Sequence, residues 1–517
     1  MERGRQINDL NSHTRRDFLI GGLAGTAALG LAACGRSTVR SAASIAPAGS
    51  DLGAVDHVVM LMQENRSFDN YFGTYKGVIG FNDHPATGPG VFAQSWPGGT
   101  SSGGKLLPFH LDTSTQNAAC TSDLSHAWNA QHLSWNNGLM DSFVVTHTSA
   151  QFDGPSQGIL TMGYYTREDL GFYYSLADEF TLCDRYHCSA MGPTHPNRLM
   201  WISGTLDPDG LNGGPVLETN EASTAKFSVS WDTMPEHLAA KGVSWKVYNP
   251  PGAEYQPDSP QAMIFSDNPL LYFKQYQDPT TEIHQRAFSS IYPDDFAKDV
   301  AAGTLPQVSW IIPPIGYDEH PPAPSVLGEW FSQQVISTLI SNPKVWSKTV
   351  LFIMHDENDG FFDHVAPPVA PKGTPGEYVS VDPLPPQANG IAGPIGLGFR
   401  VPMLVVSPFS RGGYICSEVF DHTSQLRFIE TRFGVGVPNL SSWRRGVTGD
   451  LTSTLHMGYS DSSVPRLAAA SKTDPVIARE CQTAQLAEIN VPMPQYPVPA
   501  NQVMPVQEPG KARRVST

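Results

Sequence analysis

Short runs of apolar and β-branched residues recur along the chain, each closed by polar or glycine-rich residues. Residues 57–62 (HVVMLM), 243–248 (VSWKVY), 308–312 (VSWII), 349–354 (TVLFIM) and 403–406 (MLVV) are the clearest. Runs of this length with little polar alternation predict strands buried on both faces. Helical patterns lie between them. Residues 325–341 carry apolar positions near i, i+3, i+4 spacing, with Ser325 placed to cap the first turn. Residues 421–433 (DHTSQLRFIETRF) read as a helix that stops at Gly434. Buried strands alternating with helices predict an α/β fold: a three-layer α/β/α sandwich with a largely parallel central sheet. Long Gly-, Pro- and Ser-rich loops interrupt it at 81–104, 207–224, 250–260 and 367–396. Loops of that length are packed by their own side chains or carry function. From residue 487 the chain is too rich in proline to continue a helix or a central strand. Residues 487–517 are therefore expected to be an extended or disordered tail.

Composition narrows the partners. The 517 residues are 40% hydrophobic and 16% charged, the balance of a folded chain. With 33 Lys+Arg against 49 Asp+Glu the net charge is −16. No nucleic-acid partner is expected, because a phosphate backbone calls for a basic surface. Gly (47) and Pro (44) are abundant, which points to ordered loops rather than a helical bundle.

The first residues read as an address. Arg15-Arg16 precede a Gly/Ala-rich apolar run over 19–33 that ends Leu31-Ala32-Ala33-Cys34. The pair resembles a twin-arginine export signal and the ending resembles a lipoprotein cleavage site. The expectation is a signal peptide over 1–33, a lipid on Cys34 and a flexible tether over 34–54. The translocase would be a partner during export. The mature chain would be anchored at the cell envelope or cell surface, with extracellular release as the alternative. Of the remaining cysteines, Cys120, Cys183, Cys188, Cys416 and Cys481, an odd one stays free; Cys183–Cys188 and pairings of Cys120 are both open.

Chemistry gathers where strands end, which is where open α/β sheets bind ligands. Run 57–62 leads into Gln63-Glu64-Asn65-Arg66, and run 349–354 into His355-Asp356-Glu357-Asn358-Asp359. Crowded carboxylates repel unless a cation neutralises them. Oxygen donors of this kind suit one divalent ion such as Ca²⁺, Mg²⁺ or Mn²⁺ better than Zn²⁺. Between these segments lies MGPTHPNR, 191–198, which opens a helix-like LMWISG. Thr194 sits at or just before that helix N-terminus, either as its cap or as a hydroxyl nucleophile beside a cation and free backbone amides. His126, His195, His320, His364 and His422 all lie in polar, turn-rich surroundings.

Five blocks then carry a resemblance: HVVMLMQENRSFDNYFG (57–73), MGPTHPNRLMWISGT (191–205), YDEHPP (317–322), HDENDGFFDHV (355–365) and VFDHTSQLRFIETRFG (419–434). Together and in this order they resemble the bacterial phospholipase C/acid phosphatase (phosphoesterase) family of the alkaline phosphatase-like superfamily, especially its mycobacterial-type phospholipases C. The resemblance implies an alkaline phosphatase-like catalytic domain over 55–486. It implies Glu64, Asn65, Asp356 and Glu357 as metal ligands, Thr194 as nucleophile, and His320 and His126 at the phosphoryl group or leaving oxygen. His364 and His422 follow as further phosphate or leaving-group contacts. One departure stands out: Glu319 occupies a position where some relatives carry a second histidine. The implied activity is phospholipase C action on phospholipids such as phosphatidylcholine at a membrane surface. An acid phosphatase is the alternative within the family, and a non-catalytic lipid-tethered surface protein the alternative of another class. A sulfatase-like chemistry needs Cys or Ser where this chain has Thr194. Trp128, Trp135, Tyr164, Tyr165, Tyr173 and Tyr174 could face a choline group or simply fill the core.

Overall fold

The structure is a computed structural model that describes residues 51–99, 103–114, 118–218, 228–250, 267–470, 498 and 501–515. Arg15-Arg16, Cys34, Cys481 and most of the tether lie outside the described residues. Nine strands form the central sheet: β1 (His57–Gln63), β2 (Thr181–Cys183), β3 (Trp245–Asn249), β4 (Ser290–Ile291), β5 (Val308–Ile311), β6 (Thr349–His355), β7 (Met403–Val406), β8 (Tyr414–Cys416) and β9 (Arg513–Arg514). Their order is β9-β8-β2-β7-β6-β1-β5-β3-β4. All pairings are parallel except those of β7 with β6 and β2.

Five helices matter for the site: α1 (Trp128–Trp135), α2 (Gly171–Glu179), α3 (Thr194–Ser203), α4 (Ser325–Ser341) and α5 (His422–Phe433). The apolar runs explain the three layers. Odd residues of β1, Val59 and Leu61, pack with Leu351 and Ile353 against Phe172 and Leu176 of α2 and Phe331 and Val335 of α4. Even residues, Val58, Met60 and Met62, pack with Phe352 and Met354 against Leu199 and Ile202 of α3 and Leu426 and Ile429 of α5. A strand with both faces covered needs no polar alternation, which is how these segments read.

Some expectations shift. Trp245–Asn249 begins two residues later than the apolar run, because Gly242 takes a positive φ of 70° and holds a turn there. Pro324, not Ser325, stands at the N-cap of α4, and the Ser325 hydroxyl lies against the Tyr71 hydroxyl instead. Asp421 caps α5 through the Thr423 amide, and Gly434 ends it at φ 67°. The last residues are extended but docked. Arg513–Arg514 pairs with β8, the Gln507 amide donates to Tyr75 O at 2.7 Å, and Arg167 pairs with Glu508 at 2.6 Å. Disorder therefore does not describe 501–515. Cys183, Cys188 and Cys416 are free thiols, so Cys183–Cys188 is not a disulfide; Cys120 is disulfide-bonded, with its partner outside the described residues.

A buried ion cluster ties the segment after β1 to the loop after β6. Arg400 donates to Asp363 and Asp69 at 2.9 Å each, and to the carbonyls of Ile79 and Asp184 at 2.7 and 2.9 Å. The Arg400→Met substitution leaves two buried carboxylates without their cation. It should cost about 3–5 kcal/mol, the usual penalty for breaking a buried pair, and urea denaturation followed by circular dichroism measures it.

Candidate active site

β1 and β6 run side by side in register, with Gln63 opposite His355. Both chains therefore leave the sheet at the same level. Just beyond it the two exits are stitched together: Asp356 N donates to Gln63 O at 3.0 Å, Arg66 N to Glu357 O at 3.0 Å, and Asn65 N to the Asp356 carboxylate at 3.3 Å. Asn65 has a φ of 60°, Asp359 57° and Glu319 76°. Non-glycine residues rarely hold this conformation, and three of those that do lie close to this site. Glu64, Asn65, Asp356 and Glu357, anticipated as one ligand group, are thus brought together and buried.

Helix α3 closes one side. Pro193 is its N-cap and contributes no side-chain bond, so Thr194 opens the helix without capping it. The Asn197 amide instead secures the preceding loop, accepting from Ala190 N at 2.8 Å and donating to Gly192 O at 2.9 Å. Arg198 lies one turn after Thr194, on the same face, about 6 Å along the axis. Its guanidinium donates to Glu64 at 2.9 Å and Asp356 at 3.1 Å. Those two bonds dock the start of α3, and with it the Thr194 hydroxyl, onto the acidic strand ends. The positive end of the helix dipole there favours an anion.

The two imidazoles assigned to the phosphoryl group meet on the other side. His126 and His320 have ring centres 6.0 Å apart. His126 Nδ1 faces the Leu124 carbonyl at 2.7 Å and Asp359 at 3.1 Å; His320 Nδ1 faces the Pro321 carbonyl at 2.7 Å. Each therefore keeps Nε2 free of these bonds. Burial works against charge on His126, but Glu357 and Asp359 more than reverse it and raise its pKa well above the ordinary value. These surroundings favour the protonated imidazole, the form a general acid requires.

Two carboxylates join the group that the sequence did not single out. One oxygen each of Glu64, Asp267 and Asp318 lie within 4.8 Å of one another. Asp267 sits 3.7 Å from His195 Nε2, and His195 Nδ1 meets the Tyr272 hydroxyl at 2.5 Å. Burial, reinforced by Asp267, pushes Asp318 up to about 7, with His320 opposing. Burial raises Glu64 and Glu357 well above the carboxylate range, and Asp359 to about 6. Asp318 and Asp359 lie inside quoted blocks but were overshadowed by their neighbours. Asp267 (FSDNP) carries no local signal at all.

Two assigned histidines are corrected. His422 uses both nitrogens internally, toward the Asp356 carbonyl at 2.6 Å and the Tyr186 hydroxyl at 2.8 Å, and burial lowers its pKa to about 4. It braces the backbone that carries Asp356. His364 Nδ1 bonds Asp69 at 2.6 Å within the Arg400 cluster and its ring packs at a tilt on Phe92, which places it in that network; its Nε2 makes no hydrogen bond among the described residues and lies 3.5 Å from Asp83. Glu319, where an imidazole was missing, points under the site instead: it accepts from Tyr71 and Tyr173, and meets His355 Nε2 at 3.1 Å. Gly328 makes room, because a Cβ there would lie 2.0 Å from Glu319. Trp128, Tyr165, Tyr173 and Tyr174 are core residues; Trp135 and Tyr164 are half-buried against it.

Oxygen donors for a hard divalent cation are present, although among the described residues the carboxylates that converge with Glu64 are Asp267 and Asp318 and not Asp356 and Glu357. Asn65 Oδ1 and Glu357 Oε1 are buried and have no hydrogen-bond partner among the described residues. Both are oxygens beside Asp356 and Glu64, the kind of atoms such an ion accepts. Arg198 supplies only part of the positive charge this cluster requires.

An acidic strand-end site with a hydroxyl at a helix N-terminus and paired imidazoles defines a hydrolase of phosphoric esters. The chain belongs to the Phosphoesterase family, whose model matches residues 55–436. It is 43% identical to phospholipase C A of Mycobacterium tuberculosis over 96% of both chains. It is 42% identical to the non-hemolytic phospholipases C of Burkholderia pseudomallei, over 97% of this chain and 72% of that one, and of Pseudomonas aeruginosa, over 89% and 64%. Among solved structures, a protein in the alkaline phosphatase superfamily from Vibrio parahaemolyticus aligns over 80% of this chain and 77% of its own, at 10% identity and a TM-score of 0.32.

Glu329 of α4 lies beneath the site, and burial pushes it from 4.5 up to about 8, with Glu319 adding to the rise. A carboxyl raised on folding stabilises the fold at low pH, and this stability is lost as pH climbs through the folded value. Replacing it by Gln removes that loss. Glu329→Gln should therefore gain urea resistance relative to wild type on going from about pH 5 to about pH 8, and parallel denaturation curves at both pH values test it.

Proposed function

We propose that this protein is a phospholipase C that cleaves the glycerol-side phosphodiester of phospholipids such as phosphatidylcholine, with Thr194 as nucleophile. The observation that carries the reading is the docking of the Thr194 end of α3 onto Glu64 and Asp356 through Arg198, opposite His126 and His320. Near full-length similarity to phospholipases C supports the substrate class. Thr194 Oγ loses its proton to solvent and attacks phosphorus; the bond from phosphorus to the glycerol oxygen breaks. The departing diacylglycerol oxygen takes a proton from His126 or His320. Water then hydrolyses the phosphothreonine, releasing the phosphorylated head group. The α3 amides and the imidazoles hold charge on the nonbridging oxygens, where most of the catalytic effect lies. One divalent ion, Ca²⁺, Mg²⁺ or Mn²⁺, held by Glu64, Asn65, Asp356 and Glu357, would lower the pKa of the Thr194 hydroxyl.

The address belongs to the same reading. Arg15-Arg16 and the run ending at Cys34 support twin-arginine export and lipid anchoring at the cell envelope or surface. Among the described residues no helix is long and apolar enough to cross a membrane.

Thr194→Ala should keep the wild-type melting temperature and lose at least about a thousandfold in turnover, the scale of deleting a nucleophile. Diacylglycerol release from phosphatidylcholine vesicles measures this. Faster wild-type hydrolysis of a simple phosphomonoester than of the lipid would assign an acid phosphatase instead. Asp356→Asn should lower both bound metal, by elemental analysis, and rate, each by about tenfold or more; unchanged metal content would place the ion elsewhere.

A further inference from the structure

We propose that the helical hairpin over residues 128–147 is the surface by which this protein sits on a phospholipid bilayer, with Leu133, Leu139 and Val145 entering the boundary between head groups and acyl chains. The inference rests on the phospholipase reading and adds to it the face that meets the lipid.

Exposure is the first ground. The hairpin consists of α1 and a short helix, Phe143–His147, that packs back on it. Leu133, Leu139 and Val145 are 47%, 63% and 44% exposed, and they are three of the seven large hydrophobic residues exposed among the described residues. One such residue on a surface is ordinary; three between positions 133 and 145 mark a place of contact. The turn that joins the helices is costly. Asn136, Asn137 and Met140 take φ values of 44°, 55° and 56°, and Gly138 one of 89°. It turns Met140 inward, where the Met140 carbonyl accepts from Gln94 at 2.8 Å, and leaves its neighbour Leu139 in solvent.

Charge is the second. Asp141 is the only Asp, Glu, Lys or Arg between residues 124 and 152, in a chain that is 16% charged. Asn136 donates to its carboxylate at 2.7 Å and Ser142 at 3.2 Å, so it is engaged within the turn. A protein of net charge −16 thus keeps this hairpin nearly free of charge. A zwitterionic bilayer is the complementary partner: it carries no net charge, and apolar side chains gain by burial at its acyl boundary.

Attachment is the third. α1 begins two residues after His126. Its inner side is fastened to the loops of the site: Gln131 Nε2 donates to Asn358 Oδ1 at 2.9 Å and to the Asp359 carbonyl at 2.6 Å, and His132 Nε2 meets the Pro394 carbonyl at 2.9 Å. The eight residues of α1 extend about 12 Å. The head-group layer of one leaflet is about 5–8 Å deep. These lengths are of one order, so a hairpin tip at the acyl boundary and a lipid phosphate beside His126 are compatible in one bound state.

The test uses the full chain with Cys34→Ser throughout, so that no acyl anchor obscures the comparison. The variant Leu133→Gln/Leu139→Gln/Val145→Gln alters exposed positions only, and thermal unfolding checks its fold. Turnover is measured on phosphatidylcholine vesicles and on a short-chain phosphatidylcholine kept monomeric below its critical micelle concentration. The vesicle-to-monomer ratio of kcat/KM should fall about tenfold or more in the variant, mainly through KM, and flotation with the vesicles should weaken alongside. Leu139→Cys carrying an environment-sensitive fluorophore gives a reading that needs no turnover, since the free thiols Cys183, Cys188 and Cys416 are buried. Its emission should shift to the blue when phosphatidylcholine vesicles are added. An unchanged ratio or an unmoved emission overturns the proposal. So does equal loss on vesicles and monomers, which would make the hairpin part of the reaction site. A wild-type dimer in sedimentation that the variant abolishes, with the ratio unchanged, would assign the face to self-association and overturn it too. If wild type cleaves neither lipid the phospholipase reading fails, while flotation and emission still decide the surface.

Discussion

Buried negative charge at the ends of two neighbouring strands is the constraint around which this molecule is arranged. Glu64, Asp356, Glu357 and Asp359 leave β1 and β6 at one level because those strands are parallel and in register. Burial alone would drive such groups to hold protons, and Glu64 and Glu357 show that tendency strongly. The surroundings answer with Arg198, a protonated His126 and oriented backbone amides. They answer incompletely, for Asn65, Glu357 and Asp318 still have bare oxygens. A fold selected for stability alone would have replaced these groups with apolar ones. Their persistence in one place, with three backbone positions at positive φ, is the physical signature of a functional site.

Beneath the reactive groups lies a second set whose role is to hold them still. Glu319 collects Tyr71, Tyr173 and His355, and His355 is the last residue of β6 before Asp356. His422 grips the Asp356 carbonyl from α5. The Arg400 cluster does the same for the segments that follow Glu64 and Glu357. Each support joins elements far apart in sequence, so a small error in one would be felt at the carboxylates. Electrostatic catalysis depends on groups fixed before the charge develops, and these networks provide that rigidity.

What could be read from the residues follows the same division. The five long apolar runs became strands, and 325–341 and 421–433 became helices with ends shifted by at most a residue, because burial on two faces or one stripe writes a strong local pattern. The strands at 181–183, 290–291, 414–416 and 513–514 were missed: two or three residues show no periodicity, and only tertiary pairing makes them strands. The convergence of Glu64, Asn65, Asp356 and Glu357 near the start of α3 was legible because those residues follow strand ends or sit in motif blocks. His364 and His422 occur in equally polar contexts yet are structural. Polarity of the neighbours does not reveal that both ring nitrogens of His422 are used, or that His364 is held in the Arg400 cluster through Nδ1. Arg198 was in view but had no assigned partner, since its role exists only once α3 meets β1 and β6. Asp267 lay beyond reach, because nothing in FSDNP distinguishes a loop carboxylate from one carried by folding to the side of His195.

The electrostatics of the whole chain agree with those of the site. A protein with net charge −16 is repelled by anionic surfaces over roughly a Debye length, about 8 Å at physiological salt. A zwitterionic lipid avoids that penalty, since its head group carries no net charge. The acidic strand ends add to that repulsion locally, and the cationic groups held among them, Arg198 above all, are what let a phosphate approach.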